Sequence, residues 1–409
     1  MKICNEQMKK KYLLFTGVAV ISVCWLTFAW VNPVHSGAPE EQTLVIVKAT
    51  TDFLQSLSEA QRNKILFSFT PQKAATAVRF QRSANAGGPA PGDRDSSMHP
   101  PEGGDPTKSA LSRDMGRKGF GGFVGEKYGD AVWSNFPVSD VPRPGLQLGS
   151  LNASQRERAM HLLREMLSEQ GFQKIQQIMG SDQALANGGT NFTSGTDSYT
   201  IAIFGKPDPD SPWMVEFGGH HLGLNIVIAG SQGALTPTLT GAQPSVYLEG
   251  GKTVRVLAAE NDKAFDLLNA LDAGQRKKAI LNYEVGDLVL GPGHDGEVMV
   301  PEGLKASEMT ARQKEMLTDL ISEWAGIINN AYSKVRMEEI KAGMEETYFA
   351  WSGPASHSPG KNGSSYYRIQ GPCVIIEFSP QGVGGDLTMH VHTIYRDPLN
   401  NYGNAFLSK

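Results

Sequence analysis

Apolar residues recur at helical spacing in two long stretches of the chain, residues 156–178 and residues 316–328. An amphipathic helix places an apolar residue at every third or fourth position of the face that it turns to a core. The pattern therefore predicts a core-facing helix in each stretch. The apolar positions are Met160, Leu163, Met166, Leu167, Ile175 and Ile178 in the first stretch, and Met316, Leu317, Leu320, Ile321, Trp324, Ile327 and Ile328 in the second.

Four short polar segments have the composition of helix starts. Ser, Thr, Asn and Asp side chains accept hydrogen bonds from the free N–H groups at a helix N-terminus. Leu-Ser-Glu-Ala-Gln-Arg at 57–62 resembles Leu-Asp-Ala-Gly-Gln-Arg at 271–276, and the starts before the two amphipathic stretches form a second similar pair. We expect helices to begin after the cap-type residues Ser58, Asn152, Asp272 and Thr310.

Strand-like segments follow both amphipathic stretches in the same order. Residues 199–207 and 213–228 follow the first stretch, and residues 347–354 and 366–378 follow the second. The shared order predicts an α+β fold in which two pseudo-repeats of helix, helix and antiparallel strands form one large domain. The first repeat would cover 37–250 and the second 251–409. The alternative is that the paired helix starts are a common capping sequence.

Residues 83–144 interrupt the first repeat with a different composition, rich in Gly, Pro, Asp and Ser. Such a segment buries too little apolar surface to order a long stretch of chain. We expect a peripheral surface excursion that is disordered in part.

The N-terminus has the pattern of a targeting segment. Lys9, Lys10 and Lys11 precede an apolar run over residues 12–30. This arrangement is typical of export signals, and the run is nearly long enough to span a bilayer. Residues 1–36 are therefore interpreted as a signal peptide or an uncleaved N-terminal anchor, which places the body outside the cytoplasm, periplasmic or secreted. Contact with a membrane is expected only through an uncleaved segment.

Composition narrows the class of partner. The 409 residues are 40% hydrophobic and 20% charged, with a formal net charge of −4. No basic stripe interleaved with aromatic residues is present, so we expect no nucleic-acid partner and consider a small-molecule substrate or ligand instead. Cys373 is the one cysteine outside the leader, which rules out an internal disulfide in the body. The oligomeric state does not follow from the sequence.

Two histidine clusters carry the candidate chemistry. Four of the nine histidines lie in them: His220 with His221, and His390 with His392. Alternate residues of a strand point to the same face, so His390 and His392 should lie side by side. Neighbouring imidazoles can share a divalent transition metal ion such as Fe, Cu, Zn or Mn, and these four residues are the predicted ligands. The alternative is that they bond to backbone or carboxylate groups without a metal.

Two charged residues are predicted to complete the site as catalytic groups. If the glycine-rich loop before His390 is a symmetric hairpin connection, Glu377 lies opposite His390 and adds a carboxylate to the histidine face. A slip of one residue would turn Glu377 away. Arg396 shares the histidine face by strand parity and could hold an anionic substrate. For Arg396 the alternative is a structural salt bridge with Asp397 or Glu216.

Several motifs resemble those of a known family, the domain of unknown function 3500. They are Phe-Gly-Gly-His-His at 217–221, Gln-Pro at 243–244, Tyr-Phe-Ala-Trp-Ser-Gly at 348–353 and His-Val-His-Thr-Ile-Tyr-Arg-Asp at 390–397. The resemblance covers nearly all of the chain after the leader and implies one family-wide domain, often exported, without an assigned reaction. Asn401 stands where the family pattern has Asp. The matching positions are His220, His221, Trp351, Tyr367, Arg368, Glu377, His390, His392, Arg396 and Asp397.

Two functions are compatible with these observations. The first is an exported metal-binding protein, and further a metal-dependent enzyme that acts on a small organic molecule by oxidative or hydrolytic chemistry. The second is a non-enzymatic extracytoplasmic module that binds a ligand or has a structural role, in which the histidines are structural.

Overall fold

Helices and strands occur in blocks along the chain. The computed structural model describes residues 38–80, 123–297 and 299–407. In these ranges the helices are α1 (Pro39–Ser56), α2 (Glu59–Ile65), α3 (Ala153–Met166), α4 (Glu169–Asn187), α5 (Ala258–Ala270), α6 (Ala273–Ala279), α7 (Ala311–Ala325), α8 (Asn330–Ala342) and α9 (Asn404–Leu407). The strands are β1 (Leu66–Phe67), β2 (Thr76–Phe80), β3 (Phe123–Tyr128), β4 (Ala131–Trp133), β5 (Leu146–Gln147), β6 (Thr200–Phe204), β7 (Trp213–Gly219), β8 (Leu222–Ala229), β9 (Gln232–Ala234), β10 (Thr238–Ala242), β11 (Val246–Glu249), β12 (Lys252–Arg255), β13 (Leu304–Lys305), β14 (Tyr348–Ser352), β15 (Tyr366–Gln370), β16 (Ile375–Pro380) and β17 (Val391–Arg396). This content confirms the predicted α+β class.

Twelve of these strands form a central sheet. Its order is β1-β6-β7-β8-β10-β17-β16-β15-β14-β13, with β5 paired to β6 and β9 paired to β8. Neighbouring strands are antiparallel except β1 and β6, which are parallel. In the middle of the order, β10 meets β17, and Thr240 lies opposite Thr393. Strands β2, β3 and β4 form a separate three-stranded sheet, and β11 pairs with β12.

Both faces of the central sheet are covered. Every residue of β6 is buried, and alternate residues of a strand face opposite sides. Ile201 joins the core that includes Leu163 of α3. Its neighbour Ala202 joins a second cluster with Tyr128 and Tyr402. The longer helices therefore pack on one face, whereas the three-stranded sheet, the turn around Tyr402, and Phe406 of α9 pack on the other.

The predicted helix starts are confirmed. At each of them the cap side chain accepts a hydrogen bond from the backbone N–H three residues later, and the glutamine at that later position accepts one from the N–H of the cap residue. This reciprocal capping box satisfies two donors that a helix start leaves free. The four caps are Ser58, Asn152, Asp272 and Thr310.

The amphipathic stretches are not the continuous helices that apolar spacing predicts. The first is divided at Leu167 into α3 and α4, and the second ends as a helix at Ala325. Leu167 forms an isolated antiparallel bridge with Ile328, which lies between α7 and α8. The backbone groups freed by the two breaks bond to each other. A sharp turn leaves the apolar spacing unchanged, so periodicity alone did not reveal it.

Residues 123–144 correct the prediction of a peripheral excursion over 83–144. Strands β3 and β4 lie in the three-stranded sheet, and Glu126 and Trp133 are buried. The composition of this segment suggests exposure, but its charged residue Glu126 is buried because its carboxylate is paired with the guanidinium of Arg396. Residues 81–122 lie outside the described residues.

The described ranges belong to one compact unit, Ser36–Lys409. The predicted leader over residues 1–36 lies outside the described residues. None of the helices within those ranges combines the length and apolar character that crossing a bilayer requires.

Candidate metal centre

His220 and His221 form the two-residue turn between β7 and β8. The antiparallel register leaves only these two residues as the connection. His221 has a φ of 63°, in the left-handed region that residues other than glycine rarely adopt. Two contacts hold this backbone: the N–H of His221 donates to the carbonyl of Asn135 (3.2 Å), and the Tyr199 hydroxyl donates to the carbonyl of His220 (2.9 Å). Such a conformation persists when its surroundings over-determine it.

His390 and His392 come from the N-terminal end of β17. His392 lies opposite Gly241 of β10, and the carbonyl of His390 accepts the N–H of Gln381 at 2.8 Å. The Nε2 atoms of the two histidines are 3.1 Å apart. The prediction from strand parity, that the two imidazoles share a face, is confirmed.

Gly241 makes room for the histidine turn. A Cβ at this position would touch the ring of His221 and fall on the carbonyl oxygen of Val391. Because glycine has no side chain, the β7–β8 turn can approach β17 closely. Histidines separated by 169 positions in the sequence, His221 and His390, are thereby brought into contact.

Three imidazoles converge at this contact. Nε2 of His221 lies 2.9 Å from Nε2 of His390, which in turn neighbours His392. Each residue offers one nitrogen, and the three nitrogens lie within 4.8 Å of one another. All three side chains are buried. The two histidine clusters of the sequence therefore form one site.

The outer nitrogens of the three rings have different surroundings. Nδ1 of His390 lies 3.0 Å from the carbonyl oxygen of Val383, so its proton is on Nδ1 and its lone pair on Nε2. The amide nitrogen of Asn135 lies 3.2 Å from Nδ1 of His392 and 3.4 Å from Nε2. Nδ1 of His221 is buried and has no hydrogen-bond partner within the described ranges.

His220 stays outside the convergent group. Its Nδ1 lies 2.8 Å from the carboxylate of Asp182, and both side chains are buried. Its ring stacks on His221 with 3.7 Å between the ring centroids. Successive residues of a tight turn direct their side chains differently, so the predicted set of four is a group of three with a His–Asp pair against it.

Burial keeps the three convergent imidazoles neutral. Desolvation lowers the pKa of His221 and of His392 well below the usual range, and like charges on neighbouring histidines act in the same direction. Desolvation also lowers the pKa of His390 to about 4. A neutral imidazole has the free lone pair that metal coordination requires. The site therefore offers nitrogen ligands at neutral pH without first losing protons.

Glu377 does not lie opposite His390, which corrects the symmetric-hairpin prediction. It pairs with Ile394 on β17 and with Arg368 on β15. Its carboxylate accepts the backbone N–H of Leu290 at 2.8 Å. The β16–β17 connection is asymmetric, and loop length sets the register, so the carboxylate is carried away from the histidines.

Arg396 shares the histidine face but lies at the other end of β17. Its guanidinium donates to both carboxylate oxygens of Glu126, at 3.1 Å and 2.5 Å, and lies 4.6 Å from the ring centroid of Trp133. A buried guanidinium so occupied forms a structural ion pair. Its partner is Glu126, whereas the sequence suggested Asp397 or Glu216. The structure therefore brings neither predicted catalytic residue to the histidines.

Sequence reasoning missed two residues beside the histidines, Asn135 and Asp182. Asn135 lies in the interval whose composition suggests a surface excursion. Asp182 lies on the buried face of α4 together with Ile178 and Met179. A carboxylate on an otherwise apolar helix face was the available signal, because a buried charge needs a partner.

The arrangement can hold a divalent metal with three neutral nitrogens and leave a coordination position open.

Comparison with known proteins adds family membership. The search of curated proteins finds no match to this chain. No solved structure matches it either. Residues 121–404 match the family model described as "Protein of unknown function (DUF3500)", and the chain belongs to this family.

Proposed function

We propose that this protein binds a divalent transition metal ion through Nε2 of His221, His390 and His392. One observation carries the proposal: three buried, neutral imidazole nitrogens from two distant chain segments face one another. Burying three polar rings is costly unless their polar atoms gain partners.

Hydrogen bonding alone uses these nitrogens poorly. The Nε2 atoms of His221 and His392 both face the Nε2 of His390, which has a single lone pair. One lone pair makes one good hydrogen bond, whereas a cation accepts a lone pair from each of the three rings. The bond from His390 Nδ1 to a backbone carbonyl is also the arrangement that typically orients a metal-bound histidine.

The donor set favours zinc or copper among the four candidate metals. Imidazole suits zinc, copper and iron, but divalent iron is bound more weakly than copper by a given set of ligands, and manganese prefers oxygen ligands. Nitrogens that share a tetrahedral zinc ion at ~2.0–2.1 Å lie roughly 3.3 Å apart. The separations of 2.9 Å and 3.1 Å from His390 are a few tenths of an ångström shorter, whereas the group as a whole spans up to 4.8 Å, so the rings have to rotate to surround the ion.

We further propose hydrolytic or hydration chemistry on a small organic molecule. The ligand set has three histidines and no carboxylate, since Glu377 lies elsewhere. Three histidines with an open fourth position are the ligand set of zinc sites that activate water. His220, held through Nδ1 by Asp182, stacks on His221 beside this site and is the candidate general base. An oxidative site of two histidines and one carboxylate would need a carboxylate ligand, and the predicted one, Glu377, lies elsewhere.

Metal analysis with paired variants tests the proposal. We expect the parent to retain about one equivalent of zinc or copper after dialysis, and the His390→Ala, His392→Ala double variant to retain none. The control is His294→Ala, because His294 lies on a loop and contacts Glu297 rather than the site. A parent that takes up no metal on reconstitution, with a double variant that melts earlier, would establish the structural role for the histidines instead.

We propose that the body lies outside the cytoplasm. Lys9 to Lys11 followed by the apolar run over residues 12–30 support this. A phosphatase reporter that is active only after export, fused behind Lys409, should be active, and removal of residues 1–36 should abolish that activity. Activity of a cytoplasm-dependent reporter at the same position would contradict export.

We also propose that residues 37–250 and 251–409 are two copies of one unit. The sheet order supports this, because β5-β6-β7-β8-β10 is followed by the corresponding strands in reverse, β17-β16-β15-β14-β13. The helix caps support it as well. The Gln155 amide donates to Gln61 at 3.0 Å, and the Gln313 amide donates to Gln275 at 2.9 Å.

The histidine site breaks this proposed symmetry. Thr240 and Thr393 face each other at the centre of the sheet, and their hydroxyls are 2.6 Å apart. The neighbouring pairs lie on the opposite face of the sheet: on one side Leu239 with Ile394, which is apolar, and on the other side Gly241 with His392. In a duplicated scaffold, one position of the pair has thus become polar and its partner has lost its side chain. This supports a function at one of the two equivalent positions beside the central threonines.

A further inference from the structure

A surface groove reaches one of the three convergent histidines. It encloses about 290 Å³ and lies between the C-terminal end of α4, the residues after β10, and the glycine-rich connection from β16 to β17. His390 is part of its lining. The volume is at the low end of the ~300–1,000 Å³ typical of small-molecule sites.

We propose that this groove binds a small uncharged organic molecule with a nitrogen or oxygen donor at one end. The inference rests on the proposed metal site, because the donor would reach the open coordination position beside His390. The groove thereby defines the substrate class of that site.

The chemistry of the walls supports an uncharged ligand. Leu185, Pro244, Val383 and Met389 supply apolar surface. Apolar walls with few polar groups are typical of sites for small organic molecules. The amide of Gln243 adds a neutral polar group that can orient the ligand.

The charge of the walls disfavours an anion. Asp386 is the acidic residue of the lining, and no lysine or arginine contributes to it. Lys361 lies 3.6 Å from the Asp386 carboxylate and balances part of its charge outside the groove. An anionic ligand would be attracted by the bound metal ion but would meet a like charge in the wall at Asp386, with no lysine or arginine in the lining to offset it.

The groove and the metal site share a structural element. Val383 lines the groove, and its carbonyl oxygen accepts a hydrogen bond from Nδ1–H of His390. The loop that contacts the ligand therefore also orients a metal ligand. Across the groove, Leu185 lies one helical turn after Asp182, which holds His220.

Imidazole and acetate titrated into the copper-loaded full chain test the proposal. Both are small metal ligands, one uncharged and one anionic, and their binding is followed by the copper absorption and EPR spectra. We expect the preference for imidazole over acetate to exceed the preference that aqueous copper ions show for the same two ligands. Leu185→Trp should narrow the groove and weaken imidazole binding by about tenfold or more, roughly 1.4 kcal/mol, with copper content and the ligand-free spectrum unchanged.

The matched control is Gln176→Trp, which places the same side chain at an exposed position of the same helix, outside the groove. Met389→Trp narrows the groove from the opposite wall and should reproduce the effect if Leu185→Trp does not fold. Unchanged imidazole affinity in both wall variants would overturn the groove proposal and leave the metal proposal standing, as would a preference for imidazole no greater than that of aqueous copper. A parent that takes up no copper or zinc would overturn both proposals at the metal step.

Discussion

Glu216 on β7 and Asn225 on β8 are directly opposite residues with unsatisfied oxygens. Oε1 of Glu216 and Oδ1 of Asn225 are both buried without a hydrogen-bond partner in the described part of the chain. Burial raises the pKa of Glu216 to about 8, against the lowering effects of the Val132 N–H and of Arg143. Opposite side chains on a ladder are within reach of each other. A protonated Glu216 supplies the donor that Asn225 lacks.

We predict that Glu216 makes the protein less stable as the pH rises from about 4.5 to about 8. In that window the folded chain holds a proton that the unfolded chain has released, so the free energy of unfolding falls with pH. Glu216→Gln mimics the protonated acid and should remove this loss, on the order of a few kcal/mol. Urea unfolding of both proteins from pH 5 to 9 measures the difference. Parallel curves would refute a protonated Glu216.

The backbone of His221 gives a second prediction at the residue scale. Its φ of 63° favours glycine. In metal-free protein, His221→Gly should be more stable than His221→Ala by about 1 kcal/mol, because alanine keeps the left-handed strain and glycine does not. Both variants lose the same ligand. Chemical denaturation in the presence of a chelator compares them, and equal stability would mean that the turn relaxes to another conformation.

At the scale of elements, two glycines precede strands that are equivalent in the proposed duplication. Gly145 comes before β5 and Gly303 before β13, and each has a φ of +97°. A Cβ at Gly145 would fall on the carbonyl of Ile201, and one at Gly303 on the carbonyl of Phe349. The close approach of backbones thus requires glycine at both positions.

We predict that Gly145→Ala and Gly303→Ala each lower the free energy of unfolding by about 3 kcal/mol or more, from the clash and the left-handed φ together. Gly189→Ala isolates the backbone effect, because its φ is +84° with no atom near the added Cβ. Gly286→Ala, in open space, should be nearly neutral. Thermal melts of the four variants give the comparison. A large difference between the first two would weaken the proposed duplication.

At the scale of the molecule, the histidine group joins the two proposed halves. His221 belongs to the first half, and His390 and His392 belong to the second, where β10 and β17 connect the halves in the sheet. A ligand that binds only the folded chain stabilises it by mass action. Metal binding should therefore stabilise the whole unit rather than one element.

We predict that zinc or copper raises the melting temperature of the parent by roughly 3–5 °C at a hundredfold excess over the dissociation constant. A chelator should reverse the shift. His392→Gln should abolish it, because two nitrogens remain and the third ligand is lost. Differential scanning calorimetry measures the effect, and a metal-induced shift that persists in the variant would place the ion elsewhere.

Local sequence determined the features that depend on neighbouring residues. The four helix caps could be predicted from the sequence, because at each of them Ser, Asn, Asp or Thr is followed three residues later by glutamine. The side chains of the two residues accept hydrogen bonds from each other's backbone N–H groups. The shared face of His390 and His392 followed from strand parity, which is independent of what surrounds the strand. The α+β class followed from the order of such elements.

Tertiary structure alone decided which residues meet. The length and shape of the β16–β17 connection set the register, so that Glu377 lies opposite Ile394 and not opposite His390. The turn between β7 and β8 directs the side chains of His220 and His221 differently, and the missing side chain at Gly241 leaves room for His221 beside His390. Asn135 contacts His392, although the composition of its segment predicted a surface excursion. Contacts between distant segments depend on packing and backbone approach, which local patterns of hydrophobicity and charge do not encode.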